Sequence, residues 1–145
     1  MSTHSLYSVR CRGIIVHEGR LLVVSHPGNS DYVVLPGGHL DPGEDIEACM
    51  RRELKEELGV KSEIGPLLYV HTFTDRRGQQ SVDFFFRILN SGDFLDSTNR
   101  DRTHAHELES VEWVTIEDTR TFLPAAVWHD FVTDQLDRNE VRFIS

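Results

Sequence analysis

The stretch from Gly38 to Val60, GHLDPGEDIEACMRRELKEELGV, constrains this chain more than any other part of it. Pro42-Gly43 supplies a turn, Asp45 to Leu58 has helical composition, and Gly59 is a C-terminal stop, so a tight loop feeds one helix. At about 100° per residue, Glu53, Glu56 and Glu57 fall within an arc of about 100°, while Met50, Leu54 and Leu58 form an apolar stripe about a quarter-turn away. One side of the helix packs and the neighbouring side concentrates negative charge. Like charges at that spacing cost a few tenths of a kcal/mol per exposed pair and more when partly buried, so the pattern asks for a cation. Carboxylates with no paired His or Cys nearby favour Mg²⁺, with Mn²⁺ as the alternative, over Zn²⁺. A magnesium ion completes its octahedron with water and substrate phosphates, which ties the acidic helix to phosphorylated ligands.

The rest of the chain supplies strands around this helix. Ser8 to Val16 and Arg20 to Ser25 are β-rich runs about His17-Glu18-Gly19 and read as a hairpin, with Tyr32 to Leu35 a third strand. Leu67 to Thr74 and Ser81 to Leu89 bracket Asp75-Arg76-Arg77-Gly78 as a second hairpin, and three consecutive phenylalanines at 84 to 86 imply burial on both faces. Leu108 to Val114 is a further strand, Thr115 to Asp118 a capped turn of helix, and Pro124 opens a final helix to about Leu136. Strands mixed with two helices imply an α+β layered sandwich. No linker or repeat interrupts the chain, and 145 residues suit a single domain spanning 1–145.

A formal charge of −9 argues against nucleic acid as a partner, since backbone binding draws on Lys and Arg. A divalent cation on one carboxylate cluster still allows a small phosphorylated ligand. Cys11 and Cys49 are the only cysteines, the start Met1-Ser2-Thr3-His4 has no signal-peptide pattern, and no apolar run approaches the ~20 residues of a membrane helix. These features lead to the expectation of a cytoplasmic protein with free thiols and no membrane partner.

The segment satisfies G-x5-E-x7-R-E-U-x-E-E-x-G-U at every position, with Leu54 and Val60 as the bulky apolar residues. Seven positions demand one residue type, so a chance match is on the order of 10⁻⁸ per start. The segment thereby resembles the Nudix box, and the layout of strands and helices around it resembles the Nudix hydrolases across nearly the whole chain. The resemblance implies a mixed β-sheet between helices, an α/β/α sandwich. It also implies Mg²⁺ held by Glu53, Glu56 and Glu57 with the carbonyl of Gly38, and hydrolysis of a phosphoanhydride in a nucleoside diphosphate linked to another moiety by a metal-activated water.

Arg52, one residue before Glu53 and four before Glu56, is expected to orient a glutamate, and Glu44 at the start of the helix to turn its carboxylate toward the same region. The general base stays open between Glu53 and Glu56 in the box and Glu107 or Glu109 downstream. A nucleoside triphosphate or its oxidised form leads the substrate classes. Nucleotide sugars, ADP-ribose and dinucleoside polyphosphates remain alternatives, although Asp75 to Gln79 carries neither the Pro nor the Tyr that marks the last two. A nucleotide-sensing module without turnover ranks behind the enzyme, because no box glutamate is lost. Homodimerisation is common in the family.

Other residues have plainer readings. His104 and His106 read as loop surface rather than zinc ligands, and Cys49 as a buried thiol. Arg10 and Arg12 share a strand face within reach of phosphates, with surface or edge charge the simpler explanation. Tyr32, Tyr69, Phe73, Phe84 and Phe86 include candidates for stacking a base, most of them expected in the core.

Overall fold

The computed structural model describes residues 6–28, 31–97 and 108–145. Its strands are β1 (Ser8–Ile14), β2 (Val16–His17), β3 (Arg20–Ser25), β4 (Tyr32–Val34), β5 (Gly37–His39), β6 (Ile64–Thr74), β7 (Gln80–Ile88), β8 (Ser110–Val114), β9 (Thr121–Leu123) and β10 (Arg142–Ile144). Helix α1 runs Ile46–Leu58 and α2 Ala125–Val132. One sheet has the order β10-β6-β7-β1-β5; the other runs β2-β3-β4-β9, with β8 on β3. Both are mixed, since β1 runs parallel to β7, β10 to β6 and β4 to β9, and the remaining pairs are antiparallel.

Strand alternation splits the core into two layers, because neighbouring residues face opposite sides. Cys11, Leu22, Val24, Phe86 and Ile88 pack with Cys49, Met50, Leu54 and Leu58 of α1. Ile14, Leu21, Val23, Leu68 and Phe85 pack with Val127 and Phe131 of α2. The result is the expected α/β/α sandwich, and the phenylalanines at 84 to 86 divide between its two faces.

Several local expectations need correction. The first β-rich run breaks at Ile15, so β1 joins the first sheet while β2 turns into β3 through Glu18 and Gly19, both at positive φ as a tight hairpin turn requires. β1 therefore pairs with β7 and β5, not with β3. Thr115 to Asp118 is a turn, closed by the Asp118 N–H on the Thr115 carbonyl, rather than helix. Helix α2 ends at Val132, short of Leu136, because Asp134 adopts a left-handed φ of 57°. Pro124 precedes its first turn as the N-cap. The short strands β5, β9 and β10 have only three residues each, too few for a periodic signal.

Candidate active site

Helix α1 starts where the sequence marks it: the Asp45 carboxylate accepts from the Ala48 N–H at 2.8 Å, and Gly59 closes the helix at φ 74°. The loop before it runs back along β1, with Cys11 opposite Gly38 and Arg12 opposite Gly37. These contacts leave no room for side chains. A Cβ on Gly37 would lie 1.9 Å from the Cys11 carbonyl oxygen, and one on Gly38 would lie 2.4 Å from Cδ of Glu53. The Glu53 carboxylate thus rests against the backbone of the loop.

Arg52 gathers the acids. Its Nε and Nη2 donate to the two oxygens of Glu44 at 2.8 and 3.0 Å, its Nη1 to Glu53 at 2.8 Å and Glu56 at 3.2 Å, and its Nη2 also to the His39 carbonyl at 2.9 Å. This arginine holds the Glu44 carboxyl down at about 2, while burial pushes that of Glu53 above its ordinary range against the pull of Arg52. Glu57 differs from the other two acids of the arc: it is buried, and its carboxylate accepts from the Gly37 N–H at 3.2 Å. The helix face is therefore a half-buried acidic network folded onto the glycine loop.

A cavity of about 810 Å³ opens beside this network. Gly38, Glu53 and Glu57 line it; Glu44, Arg52 and Glu56 do not. Glu109 is exposed and away from the cavity wall, and Glu107, with His104 and His106, lies outside the described residues. The rest of the lining includes the face of the first sheet turned away from α1: Arg10 and Arg12 of β1, His71 and Phe73 of β6, and Asp83 and Phe85 of β7. Arg10 and Arg12 are thus cavity residues on an interior strand, which corrects their reading as edge charge. Of the five aromatic candidates, Tyr32 and Phe73 reach the cavity, whereas Tyr69 is fully buried and Phe84 and Phe86 pack toward α1.

Asp83, His71 and His39 were not singled out from sequence. The signal for Asp83 was there: a lone carboxylate in a Phe-rich strand must be paired if buried, and Arg10 and Arg12 alternate on one strand. Burial lowers the pKa of both His39 and His71, so both are neutral near pH 7.

The donors suit a hard divalent ion in kind, since they are carboxylate oxygens and a peptide carbonyl. With Arg52 holding Glu53 and Glu56, no group of three or more His, Cys, Asp or Glu among the described residues is drawn together closely enough to hold a metal ion. Cys11 and Cys49 are free and buried beneath the loop with their sulfurs 3.0 Å apart. No described helix is long and apolar enough to cross a membrane.

A family model described as NUDIX domain matches residues 7–136. The chain is 36% identical over 95 residues to Nucleoside triphosphatase NudI of Enterobacter sp. (strain 638), an alignment covering 60% of this chain and 64% of that protein, so less than two thirds of the relative is spanned. It is 32% identical over 133 residues to the MutT-like protein of Streptomyces ambofaciens, covering 91% of this chain and 79% of the other. The crystal structure of the MutT NUDIX hydrolase from Burkholderia pseudomallei superposes with a TM-score of 0.71 at 26% identity, covering 92% of this chain and 100% of that one.

Proposed function

The chain belongs to the NUDIX domain family, and from that premise we propose that it is a Mg²⁺-dependent hydrolase of a phosphoanhydride bond in a nucleoside diphosphate linked to another group. A nucleoside triphosphate is the leading substrate class, a reading supported by the name of the NudI relative. The observation that carries the proposal is the seating of the Glu53 carboxylate on Gly38, a contact only glycine allows, within a box complete at every fixed position.

Gly38, through its carbonyl, and Glu53, Glu56 and Glu57 are the residues that would hold magnesium, with manganese as a substitute. Bound there, magnesium would supply neutralisation of phosphate charge and activation of water for attack. Arg52 is a positioning residue that fixes the rotamers of Glu53 and Glu56, and Glu44 anchors Arg52 from its other edge. Glu53 and Glu56 in the box, and Glu107 downstream, are the candidates for accepting the proton of the attacking water. Glu53 is the better placed of the box pair, because it lines the cavity and Glu56 does not.

Turnover of a panel of nucleoside triphosphates, nucleotide sugars, ADP-ribose and dinucleoside polyphosphates with Mg²⁺ tests this reading. Product analysis identifies the bond that is cut. Glu56→Gln is expected to lower turnover by about 10²-fold or more with an unchanged melting temperature, since it removes a charged oxygen from a partly exposed side chain. Normal hydrolysis by that variant would overturn the site assignment, and metal-dependent binding without any product would replace the enzyme with a nucleotide sensor.

A further inference from the structure

The part of the cavity lining formed by β1, β6 and β7 carries an arrangement that a structural ion pair does not require. Asp83 is buried, 4% exposed, and one arginine would neutralise it. Two stand over it: Arg10 Nε lies 3.0 Å from one carboxylate oxygen and Arg12 Nε 3.9 Å from the other. Both guanidinium groups are themselves largely shielded, with side-chain exposures of 21% and 14%. Two guanidinium groups on one carboxylate leave this part of the lining with a surplus positive charge in a shielded recess.

The arginines are also fixed in place. Arg10 lies over the ring of Phe73 at 5.2 Å, Phe73 is stacked on His71, and Arg12 Nη1 donates to the Leu35 carbonyl at 3.1 Å. Among the described residues, Nη1 and Nη2 of Arg10 and Nη2 of Arg12 donate no hydrogen bond. Asp83 engages the Nε edge of Arg10 and leaves its terminal fork for a ligand. A guanidinium fork matches the paired oxygens of a phosphoryl group.

Register places this wall relative to the metal loop. Arg12 is directly opposite Gly37 and Arg10 opposite His39, so the two arginines flank Gly38 on the adjoining strand, about 7 Å apart along β1. An anion on these arginines is contiguous with one held at Gly38 and Glu53.

We propose that Arg10 and Arg12 form a subsite for a phosphoryl group of the substrate beyond those held through the metal, with Asp83 as the positioning residue. The subsite makes the protein select a nucleoside triphosphate over a nucleotide sugar, in which a neutral group caps the second phosphate. The inference rests on the proposed function for the location of the metal-held phosphates.

The test is binding without turnover. Calorimetry with Mg²⁺ compares triphosphates of the four common bases carrying methylene bridges at both the α,β and β,γ positions with the matching methylene-bridged nucleoside diphosphate glucoses. The protein is expected to bind at least one triphosphate about tenfold more tightly than its glucose counterpart. Arg10→Met and Arg12→Met each remove most of that preference while changing glucose-analogue affinity less than about twofold, and Asp83→Asn weakens the preference without abolishing it. Because Arg10→Met removes the hydrogen bond to a buried carboxylate and leaves it only the longer contact to Arg12, the double variant Arg10→Met/Asp83→Asn, which removes both partners of that bond, serves as the folded control.

Equal affinity for both analogue classes overturns the inference, as does an undiminished preference in the folded double variant or an equal loss for both classes. Hydrolysis measured separately on the wild type keeps the two readings apart. Turnover without arginine-dependent selectivity removes the subsite alone; arginine-dependent selectivity without any turnover removes the hydrolase and leaves the subsite.

Discussion

Two adjacent glycines perform different tasks, and the distances separate them. A Cβ at Gly37 meets the backbone of Cys11 and Arg12, which cannot yield without moving β1, and the φ of 152° is itself unfavourable for a larger residue. A Cβ at Gly38 meets only the end of the Glu53 side chain, which can swing away. Gly37→Ala is therefore expected to destabilise the fold by about 3 kcal/mol or more, read from urea denaturation. Gly38→Ala should keep most of the stability and lose Mg²⁺-dependent turnover and metal affinity, read from magnesium titration. Equal stability losses in the two variants would contradict this division. Two neighbouring glycines look alike in sequence, and the difference depends on what lies across the strand.

Helix α1 was the element most legible in the sequence because its signals are local. Asp45 caps it, Gly59 ends it, and the apolar spacing selects the buried side. Leu54 lies at the centre of that side, fully buried, with its methyl groups filling the space above the Cα of Gly13 in β1. Leu54→Ala is expected to cost about 2–5 kcal/mol. Because α1 carries the acids, the same change should also lower metal affinity. A loss below 1 kcal/mol in urea denaturation would mean that the helix is not anchored through this contact. The strands were less legible: β1 and β2 form one continuous β-rich run in sequence, and only pairing partners far along the chain assign them to different sheets.

At the scale of the whole molecule, the C-terminal segment is tied to the first sheet by polar contacts that periodicity does not report. Asp130 of α2, fully buried, accepts from the Tyr69 hydroxyl of β6 at 2.5 Å and from Arg142 of β10 at 2.6 Å, while Arg138 donates to the Tyr69 hydroxyl and to the Leu68 carbonyl. Burial, reinforced by the neighbouring Asp130 carboxylate, raises the Tyr69 pKa to about 12. A raised folded-state pKa means that the unfolded chain loses this proton first, so the contribution is complete below pH ~10 and disappears as pH rises through about 12. Between pH 9 and 12 the protein is expected to lose about 2 kcal/mol more stability than Tyr69→Phe, measured by urea midpoints at each pH. Parallel losses would show that the hydroxyl does not titrate in this way. What the sequence determined by itself was short in range: the loop, the capped acidic helix, the order of alternating strands and the box that places the chain in its family. The tertiary structure alone decided that Glu57 is buried, that one Arg52 guanidinium bridges Glu44 to both Glu53 and Glu56, and that Arg10, Arg12, Asp83, His71 and Phe73 share one cavity. Local spacing fixes which face of an element a residue occupies, whereas only the register between distant strands fixes what that face meets.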